Sequence, residues 1–595
     1  MKTTLSRFWL GGSCVAFVAL VWSGAAPLAR AEEKPKIEWQ AWSDNIFEKA
    51  KAEKKLVLLD LGARWCHWCH VMDELTYSDP EVIKLLREKY IPVHVDQDAR
   101  PDLANRYEDY GWPATIVFKW DGTELAKRQG YIPPKPMASM LQAFVDDPTP
   151  GPSVVNEAPI VSASEAALTQ EQRAAARKFF VDAYDTERGG WGSVHHYLNW
   201  DAIEYCLTDS DPKLVAMGVQ TMKSGLKLID PAWGGVYQYS TDGDWDHPHF
   251  EKIMPFQAEN IRVFSLAASL RREPEWLAPA KKIRSFLNLF LTSPEGAFYV
   301  SQDADVVQGE HSGEFFALSD AERRKKGIPR VDMHQYSREN GLAITGLCAL
   351  YAATGDADVL AEARHAAEWI MAHRALPDGG FRHDEMDAAG PYLADSLAMG
   401  RAFLALYTVT AERPWLAKAE QVGTYIDAHF RGESGFITAA KAEGAPLTPK
   451  PQVDENIWVV RFTNLLHHHT GKAPYRAMAE HAMKLIASPA MVERQGFATS
   501  GILLADRELT MEPAHVTVIG KKDDPDAKNL FAAALKNAPG YARIEWLDDR
   551  EGPLPRSEVE MPKLPKAAAF VCANGACSLP LQTPEKIAAR LAVKR

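Results

Sequence analysis

The sequence predicts a multidomain protein: a small α/β domain, then an (α/α)6 toroid, then a small α/β C-terminal unit. Three observations predict this order. A chain of 595 residues is too long for one ordinary core. Short β-prone runs alternate with helical stretches in residues 54–147, whereas paired amphipathic helices fill residues 164–505. Beyond residue 506 the β-prone runs return, which predicts the last unit over residues 506–595.

Residues 1–31 are predicted to be an export signal peptide. Lys2 and Arg7 precede an apolar run, and Ala29-Arg30-Ala31 fits a cleavage site. An uncleaved membrane anchor and a lipoprotein signal at Cys14 are the alternatives. Because no second run of about 20 apolar residues follows, we expect a periplasmic or secreted protein with no membrane contact beyond the export signal.

Charge and cysteine content narrow the partners. The net charge of −12 argues against a nucleic-acid partner, which would need Lys and Arg to neutralise phosphates. Export would place the cysteines in an oxidising compartment. Only six remain after residue 31, too few for a disulfide framework, so the close pairs Cys66/Cys69 and Cys572/Cys577 are individual features.

The α/β domain is predicted over residues 32–147. Its elements are a buried strand at 54–63, a helical region at 71–86, a strand at 90–98, a polar helical stretch, two strands around the Asp121-Gly122 turn and a helix at 134–145. The stretch WCHWCH, residues 65–70, lies where the first strand meets the first helix. The order βαβαββα with two cysteines at this junction is the thioredoxin arrangement.

The two cysteines suit thiol–disulfide exchange. A cysteine at a helix N-terminus meets free amides and the positive end of the helix dipole, which stabilise its thiolate. We therefore expect Cys66 to attack from a solvent-facing sulfur and Cys69 to resolve the mixed disulfide. His67, Trp68 and His70 would tune the pair. Pro113 would form a cis peptide facing it.

Three other interpretations of WCHWCH remain open. Cys66 to His70 matches the haem attachment pattern C-x-x-C-H, Cys2His2 is a known zinc ligand set, and the pair could be inert. A haem would cover the strand-to-helix junction and leave the following strands unexplained. The sequence favours a redox dithiol that forms a Cys66–Cys69 disulfide and needs no metal or cofactor.

The toroid follows a Pro-rich linker predicted over residues 148–163. Its helices come in pairs, namely 164–184 with 199–208, 212–228 with 255–271, 274–292 with 338–354, 357–374 with 393–411, and 413–430 with 454–470, followed by a helix at 474–487. Six glycine-aromatic or glycine-apolar turns recur between them: GGWG at 189, GGVY at 234, GAFY at 296, GGFR at 379, GFIT at 435 and GFAT at 496. Six helical hairpins closing into a ring are predicted, with an open array as the alternative.

The toroid loops contain candidate ligand-binding side chains. Carboxylate pairs serve glycosidic bond cleavage, and histidine or carboxylate serves proton abstraction in an epimerase. Acidic residues at loop ends also cap helices, which is the structural alternative. The candidates for a carbohydrate-like ligand are His247, His249, Glu251, Lys252, Asp303, Asp305, Asn340 and Asp395.

The C-terminal unit is predicted from two strands and a helix over residues 514–549, then a third strand, a Cys-x4-Cys loop and a terminal helix. Cys572 and Cys577 flank the Asn574-Gly575 turn. A disulfide between them and two free thiols are both compatible with this spacing.

These motifs together resemble the spermatogenesis-associated thioredoxin-like family, in which a thioredoxin-type domain is fused to a six-hairpin barrel of the N-acylglucosamine 2-epimerase and glycosidase type. The resemblance is carried by WCHWCHVM at 65–72, GWP at 111–113, PHFEK at 248–252, QDAD at 302–305, NGL at 340–342 and FVCANGAC at 570–577. It implies the architecture. It leaves function open, because fold alone does not supply it.

The sequence therefore favours an exported thiol–disulfide exchange protein acting on a client thiol or disulfide. Its barrel would bind a carbohydrate-like ligand or a partner protein. A carbohydrate-active enzyme with an accessory thioredoxin domain and a non-catalytic scaffold are the alternatives. In the family that the chain resembles, PHFEKM is usually followed by a segment that contains an aspartate. Here Ile253 to Phe256 contain none, which argues against catalysis in the barrel.

Overall fold

A computed structural model describes residues 36–592, apart from residues 44, 155–160, 388, 441–446, 495, 497–498, 558 and 574–575. The predicted signal peptide lies outside the described residues. From Ile37 onward the described residues form one unit. Within the described part of the chain, no helix has both the length and the apolar character needed to cross a bilayer.

The α/β domain has the predicted order of elements after an additional first helix that was not predicted from the sequence. They are α1 (Ile46–Glu53), β1 (Leu56–Gly62), α2 (His67–Leu75), α3 (Pro80–Lys89), β2 (Tyr90–Asp96), α4 (Pro101–Tyr107), β3 (Ala114–Phe118), β4 (Glu124–Gln129) and α5 (Pro134–Asp146). The sheet order is β2-β1-β3-β4, with β1 parallel to β2 and antiparallel to β3. All seven residues of β1 are buried. This is why the strand reads as a continuous apolar run in the sequence.

Residues 170–510 form the helical region. Its helices are α6 (Gln170–Asp182), α7 (Trp200–Leu207), α8 (Pro212–Gly225), α9 (Met254–Arg271), α10 (Leu277–Phe286), α11 (Gly313–Phe316), α12 (Asp320–Lys326), α13 (Ser337–Thr354), α14 (Ala357–His373), α15 (Leu393–Thr410), α16 (Arg413–Phe430), α17 (Val453–Thr470), α18 (Ala473–Ile486), α19 (Pro489–Arg494) and α20 (Thr499–Thr510). Short strands interrupt the loops, namely β5 (Tyr239–Ser240), β6 (Pro248–His249), β7 (Lys252–Ile253), β8 (Ser301–Gln302) and β9 (Val331–Asp332).

Twelve of these helices close into two concentric rings. Helices α7, α9, α13, α15, α17 and α20 contact one another in that order, and α20 contacts α7 again. Each of the six also contacts one outer helix from the set α6, α8, α10, α14, α16 and α18. The chain is therefore a closed toroid of helical hairpins. The predicted pairs omitted α20, and this helix runs through the predicted domain boundary at residues 505/506.

Five of the six recurring glycine turns close with a β-bridge, and the sixth, at 496, includes residues outside the described part of the chain. Each bridge joins a residue just past an outer helix to a residue one or two positions after the glycine: Tyr184 to Trp191, Ile229 to Val236, Thr292 to Phe298, Ala375 to Phe381, and Arg431 to Phe436. At four of these turns the amide of the bridged residue donates to a side chain of the next inner helix. Those acceptors are Gln257, Asn340, Ser396 and Asn456, each the fourth residue of its helix.

The C-terminal unit repeats the strand order of the first domain. It contains β10 (Ala514–Ile519), α21 (Pro525–Asn537), β11 (Ala542–Leu547), β12 (Ala568–Ala573), β13 (Ala576–Cys577) and α22 (Pro584–Ala592). The order is β11-β10-β12-β13, with β10 parallel to β11 and antiparallel to β12. Cys572 and Cys577 are paired across β12 and β13 and form a disulfide.

The two α/β units cover opposite ends of the toroid. Asn105 of the first unit donates to Glu455 near the start of α17 (3.1 Å), and the Gln452 amide donates to the Asn105 carbonyl (2.8 Å). At the other end, Lys522 donates to the carbonyl of Ala411, just past the end of α15 (2.7 Å). The first α/β unit, called the dithiol domain below because it contains Cys66 and Cys69, therefore faces the N-terminal ends of the inner helices.

Candidate functional site

The cysteine pair occupies the N-terminus of α2, as the sequence predicts. Cys66 is the N-cap residue, and its Sγ accepts a hydrogen bond from the amide of Cys69 at 3.2 Å. The two sulfurs form a disulfide. Trp112 packs against the pair, which brings the cis peptide Trp112-Pro113 beside it. In the reduced protein the same amide and the helix dipole would stabilise a Cys66 thiolate.

Asp305 of the toroid holds both histidines of the motif. His67 Nδ1 lies 2.8 Å from Asp305 Oδ1, and His70 Nδ1 lies 3.0 Å from Asp305 Oδ2. The other nitrogen of His70 faces the carbonyl of Arg64 at 3.2 Å. Both ring nitrogens of His70 face acceptors, which favours an imidazolium, although the guanidinium of Arg330 also lies 3.5 Å from Nε2 and opposes that charge.

The charges around Asp305 agree with this protonation. Burial disfavours a charged His70, but its hydrogen bond to Asp305 and the charge of Asp303 raise the pKa of His70 above its ordinary value. Burial also opposes ionisation of Asp305, yet hydrogen bonds from His67 and His70 lower the pKa of Asp305 to about 2. The loop that carries Asp305 is held in place by the Gly309 amide, which donates to Asp305 Oδ2 at 2.9 Å.

The toroid also covers the disulfide itself. Cys66 is only 4% exposed and Cys69 only 8%. Ile253 of β7 packs against the pair, and the His67 amide points at Glu251 Oε1 at 3.4 Å. The expectation of a solvent-facing Cys66 is therefore wrong for this conformation. Tertiary packing is the reason, because the residues that cover the cysteines come from a loop some 185 positions away in the chain.

A second contact between domains centres on His383. Its Nδ1 lies 2.9 Å from Asp395 Oδ1, and its Nε2 lies 2.6 Å from the carbonyl of Asp98. Asp98 in turn accepts from the indole of Trp65 at 2.7 Å, next to the cysteine pair. Both nitrogens of His383 face acceptors, so this ring also fits as an imidazolium that ties the toroid to the dithiol domain.

We expect this contact to weaken at alkaline pH. Burial disfavours the charge, but Asp395 raises the pKa of His383 to about 9, against about 6.5 in the unfolded chain. A raised folded pKa gives stability that is fully present below about pH 6.5 and is lost as pH rises through about 9. Thermal unfolding from pH 6.5 to 9.5 should therefore show a falling midpoint. The fall should be smaller in His383→Gln and unchanged in the exposed control His247→Gln. Equal pH slopes in all three proteins would refute the assignment.

The eight sequence-predicted toroid residues fall into separate places. Asp303, Asp305 and Glu251 lie beside the dithiol, and His249 lies 3.8 Å from Glu251. His247 is exposed and pairs with Asp244 at 2.9 Å. Asn340 and Asp395 form hydrogen bonds with backbone and side-chain groups inside the protein.

Lys252 belongs to a charge cluster with no exposed atoms. Its Nζ lies 2.6 Å from Asp230, which also accepts two hydrogen bonds from Arg323 at 2.7 and 2.9 Å. Lys252, Asp230 and Arg323 are each 0% exposed. This placement makes Lys252 a structural residue and removes it from any ligand site.

Sequence reasoning missed a polar pair behind Cys69. His94 Nδ1 lies 2.8 Å from Asp60, a buried residue of β1 that also accepts from the hydroxyl of Tyr77. A Cβ added at Gly62 would lie 3.4 Å from Cys69 Sγ and 3.8 Å from the His94 ring. Asp60 and His94 therefore lie on the Cys69 side of the disulfide. An aspartate inside an otherwise apolar strand was the available signal.

A large chamber lies between the dithiol domain and the inner helices. Its volume is about 1250 Å³, and residues 101–109 of the dithiol domain form one wall. Aromatic and charged side chains form the other walls, among them Tyr197, Trp200, Phe256, Arg338, Arg401, Asp454 and Glu455. None of the eight predicted ligand-binding residues lines it.

Among the described residues, one cluster has the spacing of metal ligands. It consists of His70, Asp303 and Asp305. These groups already bond one another, and Arg330 lies 3.3 Å from Asp303, where its charge would oppose a cation. The zinc interpretation of Cys66, Cys69 and the two histidines is not favoured, because both histidine rings turn away to Asp305.

Comparison with known proteins agrees with this reading of the first domain. Residues 21–146 match the family model Thioredox_DsbH, described as a protein of unknown function, DUF255. Spermatogenesis-associated protein 20 of Mus musculus is 27% identical over 307 residues, which are 45% of this chain and 39% of that protein. The predicted family resemblance is confirmed. An uncharacterized Caenorhabditis elegans protein is 21% identical over 540 residues, 68% of this chain and 74% of its own length.

Further matches concern single parts of the chain. Thiol:disulfide interchange protein DsbD 2 of Pseudomonas aeruginosa is 34% identical over 110 residues, 18% of each protein. The first domain is thus thioredoxin-like and related to DsbD. The cellobiose 2-epimerase of Spirochaeta thermophila covers 57% of this chain and 97% of its own, with 11% identity and a TM-score of 0.43. The chain spans about two fifths of the mammalian relatives it matches, 39% for the mouse protein.

Proposed function

We propose that this protein performs thiol–disulfide exchange at Cys66 and Cys69. The observation that carries the proposal is a Cys66–Cys69 disulfide at the N-terminus of α2, with Cys66 as N-cap. Relatedness to DsbD-type domains supports it. We further propose that the chain is exported, on the composition of residues 1–31, and that the client is a thiol or disulfide of another molecule.

The exchange proceeds in two balanced steps. The reduced Cys66 thiolate attacks a client disulfide, forms a mixed disulfide and releases one client thiolate. Cys69 then loses its proton and attacks Cys66 Sγ, which forms the Cys66–Cys69 disulfide and releases the second client thiolate. The client gains two electrons, and a thiol reductant must supply two electrons to restore the pair. We propose that the Asp60–His94 pair, which lies on the Cys69 side of the disulfide, accepts the Cys69 proton.

Access to the pair limits the reaction. A protein client needs an open groove, whereas Cys66 is only 4% exposed, Ile253 packs against the pair, and Glu251 and Asp305 contact the adjacent His67. We propose that slender thiols and disulfides react in the described conformation. A folded protein client would react only after the Asp305 loop moves.

Trapping experiments test both points. Reduced Cys69→Ala should form a mixed disulfide with a small aromatic disulfide at least about tenfold faster than with insulin. Asp305→Asn in the same background should bring the rate with insulin closer to the rate with the small disulfide. The reason is that the loop carrying Asp305 loses its charged bond to His67 and His70. Asp146→Asn, at the exposed end of α5, is the matched control. A Cys66 thiol that reacts with neither disulfide in either background would refute the proposal.

The rival function, a carbohydrate-active toroid, has weaker support because none of the eight residues proposed for it lines the large chamber, and Lys252 and Asn340 are buried and bonded to the protein itself. Sugar turnover that survives Cys66→Ser would favour that rival. A partner protein captured without either activity would favour a scaffold.

A further inference from the structure

A second cavity occupies the bore of the toroid, on the side of the inner helices away from the dithiol domain. Its volume is about 260 Å³, and all six inner helices contribute to its lining. Residues 538–542 of the C-terminal unit line its other end. On α15 the lining residues Arg401, Leu404, Ala405 and Thr408 follow one face of the helix. The bore is therefore built by the closed ring and the C-terminal unit together.

The charged lining of the bore contains more positive than negative groups. It consists of three arginines and two glutamates, namely Arg262, Arg401, Arg461, Glu204 and Glu508. The Arg461 guanidinium bonds both oxygens of Glu508, at 3.0 and 2.8 Å. Arg461 and Arg262 together bond both oxygens of Glu204, at 2.5 and 2.7 Å. Arg401 is therefore the arginine that the glutamates of the bore leave unpaired.

Two carboxyls face these arginines from the chamber. Glu259 bonds Arg262 at 2.5 Å and Arg401 at 3.1 Å. Asp201 lies 3.8 Å from Arg461, and burial raises the pKa of Asp201 to about 7, so this carboxyl is only partly charged at neutral pH. Neither carboxyl lines the bore. Glu259 is thus the one acidic partner of Arg401 among the described residues.

Arg401 keeps hydrogen-bond donors that the protein does not use. Its side chain is only 9% exposed, and its guanidinium lies 3.3 Å from the centre of the Trp458 ring. Within the described chain it donates from Nη2 to Glu259, whereas Nε and Nη1 have no partner. These two nitrogens are accessible, in contrast to the unpaired Nη2 of Arg262, which is sealed inside the protein. Because buried donors are normally bonded, the free donors of Arg401 point to a ligand with acceptor oxygens.

The pKa of Arg401 is consistent with a charge that lacks a partner. Burial lowers the pKa of Arg401 to about 10, although the charge of Glu259 opposes this fall. Arg262 and Arg461 add to it by repulsion. A bound anion would relieve both the burial and the repulsion.

Charge and shape favour the bore over the chamber for that anion. Arg401 lines both cavities, but the chamber lining has seven acidic and four basic residues. Beyond Arg401 the wall of the bore is largely apolar and includes Leu404, Phe462 and Leu465. A volume of 260 Å³ equals that of about nine molecules of liquid water, which suits a carboxylate of roughly eight carbons. One charged end and an apolar remainder match an amphipathic anion.

We propose that the bore binds an amphipathic monocarboxylate of the medium-chain fatty acid class, with its carboxylate on Arg401 and its hydrocarbon chain along the apolar wall. The arginine fork and a carboxylate form charge-assisted hydrogen bonds. Each methylene group that leaves water for the bore adds to the affinity. The site lies on the far side of the arginines from the dithiol and does not depend on its redox chemistry.

Calorimetry on the full chain with sodium octanoate as the probe tests the proposal. We expect one site, at least tenfold weaker binding of 1-octanol, and no binding of octylammonium, because Arg401 selects the negative charge. Arg401→Met should weaken octanoate binding about tenfold or more. Ala405→Phe, one turn along α15, should abolish it by filling the bore. Arg271→Met, at the exposed end of α9, is the matched control and should bind octanoate like the unchanged protein.

Thermal unfolding of each variant without ligand checks that it folds. If Arg401→Met does not fold, the comparison of octanoate, octanol and octylammonium on the unchanged protein decides the question. Three outcomes would overturn the proposal: no binding of octanoate, equal binding of octanoate and either of the other two probes, and equal octanoate binding in Arg401→Met and the control. Cys66→Ser should bind octanoate normally, so loss of thiol–disulfide exchange would leave this proposal standing.

Discussion

Replacement of Cys66 by serine is expected to reduce the rate of thiol–disulfide exchange at least about a thousandfold. A serine hydroxyl cannot form a disulfide, and the thiolate is the nucleophile in every exchange step. Cys69 cannot substitute, because it lies one turn into α2 and lacks the N-cap position that stabilises a thiolate. The measurement is the rate of reduction of a small aromatic disulfide by the reduced protein, followed by its coloured thiolate product.

Two controls isolate this pair from the other cysteines. Cys206→Ala removes a fully buried thiol whose pKa is raised by burial, and the rate should not change. A Cys572→Ala and Cys577→Ala double variant removes the second disulfide and should also retain the rate. Activity that survives in Cys66→Ser but disappears in the double variant would assign thiol–disulfide exchange to Cys572 and Cys577 of the C-terminal unit.

The part of the site that could be predicted from sequence is the local part. A strand, two cysteines three apart and a helix are contiguous in the chain, so Cys66 at the start of α2 follows from the pattern. The cover over the cysteines could not be predicted in this way. Asp305 lies 238 positions from His67, and His383 lies 285 positions from Asp98. Only the closed toroid brings these groups together.

The toroid candidates show why polar loop residues mislead. Asn340 and Lys252 look like ligand-binding groups in the sequence, yet each is buried and pairs with the protein itself. For Asn340 a signal was available. Aligning the hairpins places Gln257, Asn340, Ser396 and Asn456 at the same fourth position of their helices, and a polar side chain repeated in this way serves the repeated turn. For Lys252 no comparable signal exists, because Asp230 comes from a loop and Arg323 from helix α12, both distant from Lys252 in the chain.

The placement of the first α/β unit on the toroid affects access to the dithiol. A thioredoxin-like domain on its own would expose its dithiol, whereas here the same toroid end supplies Asp305 to the histidines and Glu455 to the chamber. Movement of the dithiol domain away from the toroid would therefore uncover the disulfide and open the chamber together.

The largest loss of stability is expected for Asp230→Asn. Asp230 is the only carboxylate bonded to Lys252 Nζ and to the Arg323 guanidinium among the described contacts, and all three side chains are 0% exposed. Removing one partner of a buried ion pair leaves an uncompensated charge, which typically costs about 3–5 kcal/mol. Here two cations would lose their partner, so we expect a loss at the upper end of that range.

Urea unfolding followed by fluorescence measures this loss. Asp320→Asn is the matched control, because Asp320 lies on the same helix as Arg323 but its side chain is 52% exposed. The control should change the unfolding free energy by less than about 1 kcal/mol. Adding Lys252→Met to Asp230→Asn should recover part of the loss, since one of the two unpaired cations is then gone. If Asp230→Asn unfolds at the same urea concentration as the control, the cluster does not stabilise the toroid, and Lys252 returns as a candidate for ligand binding.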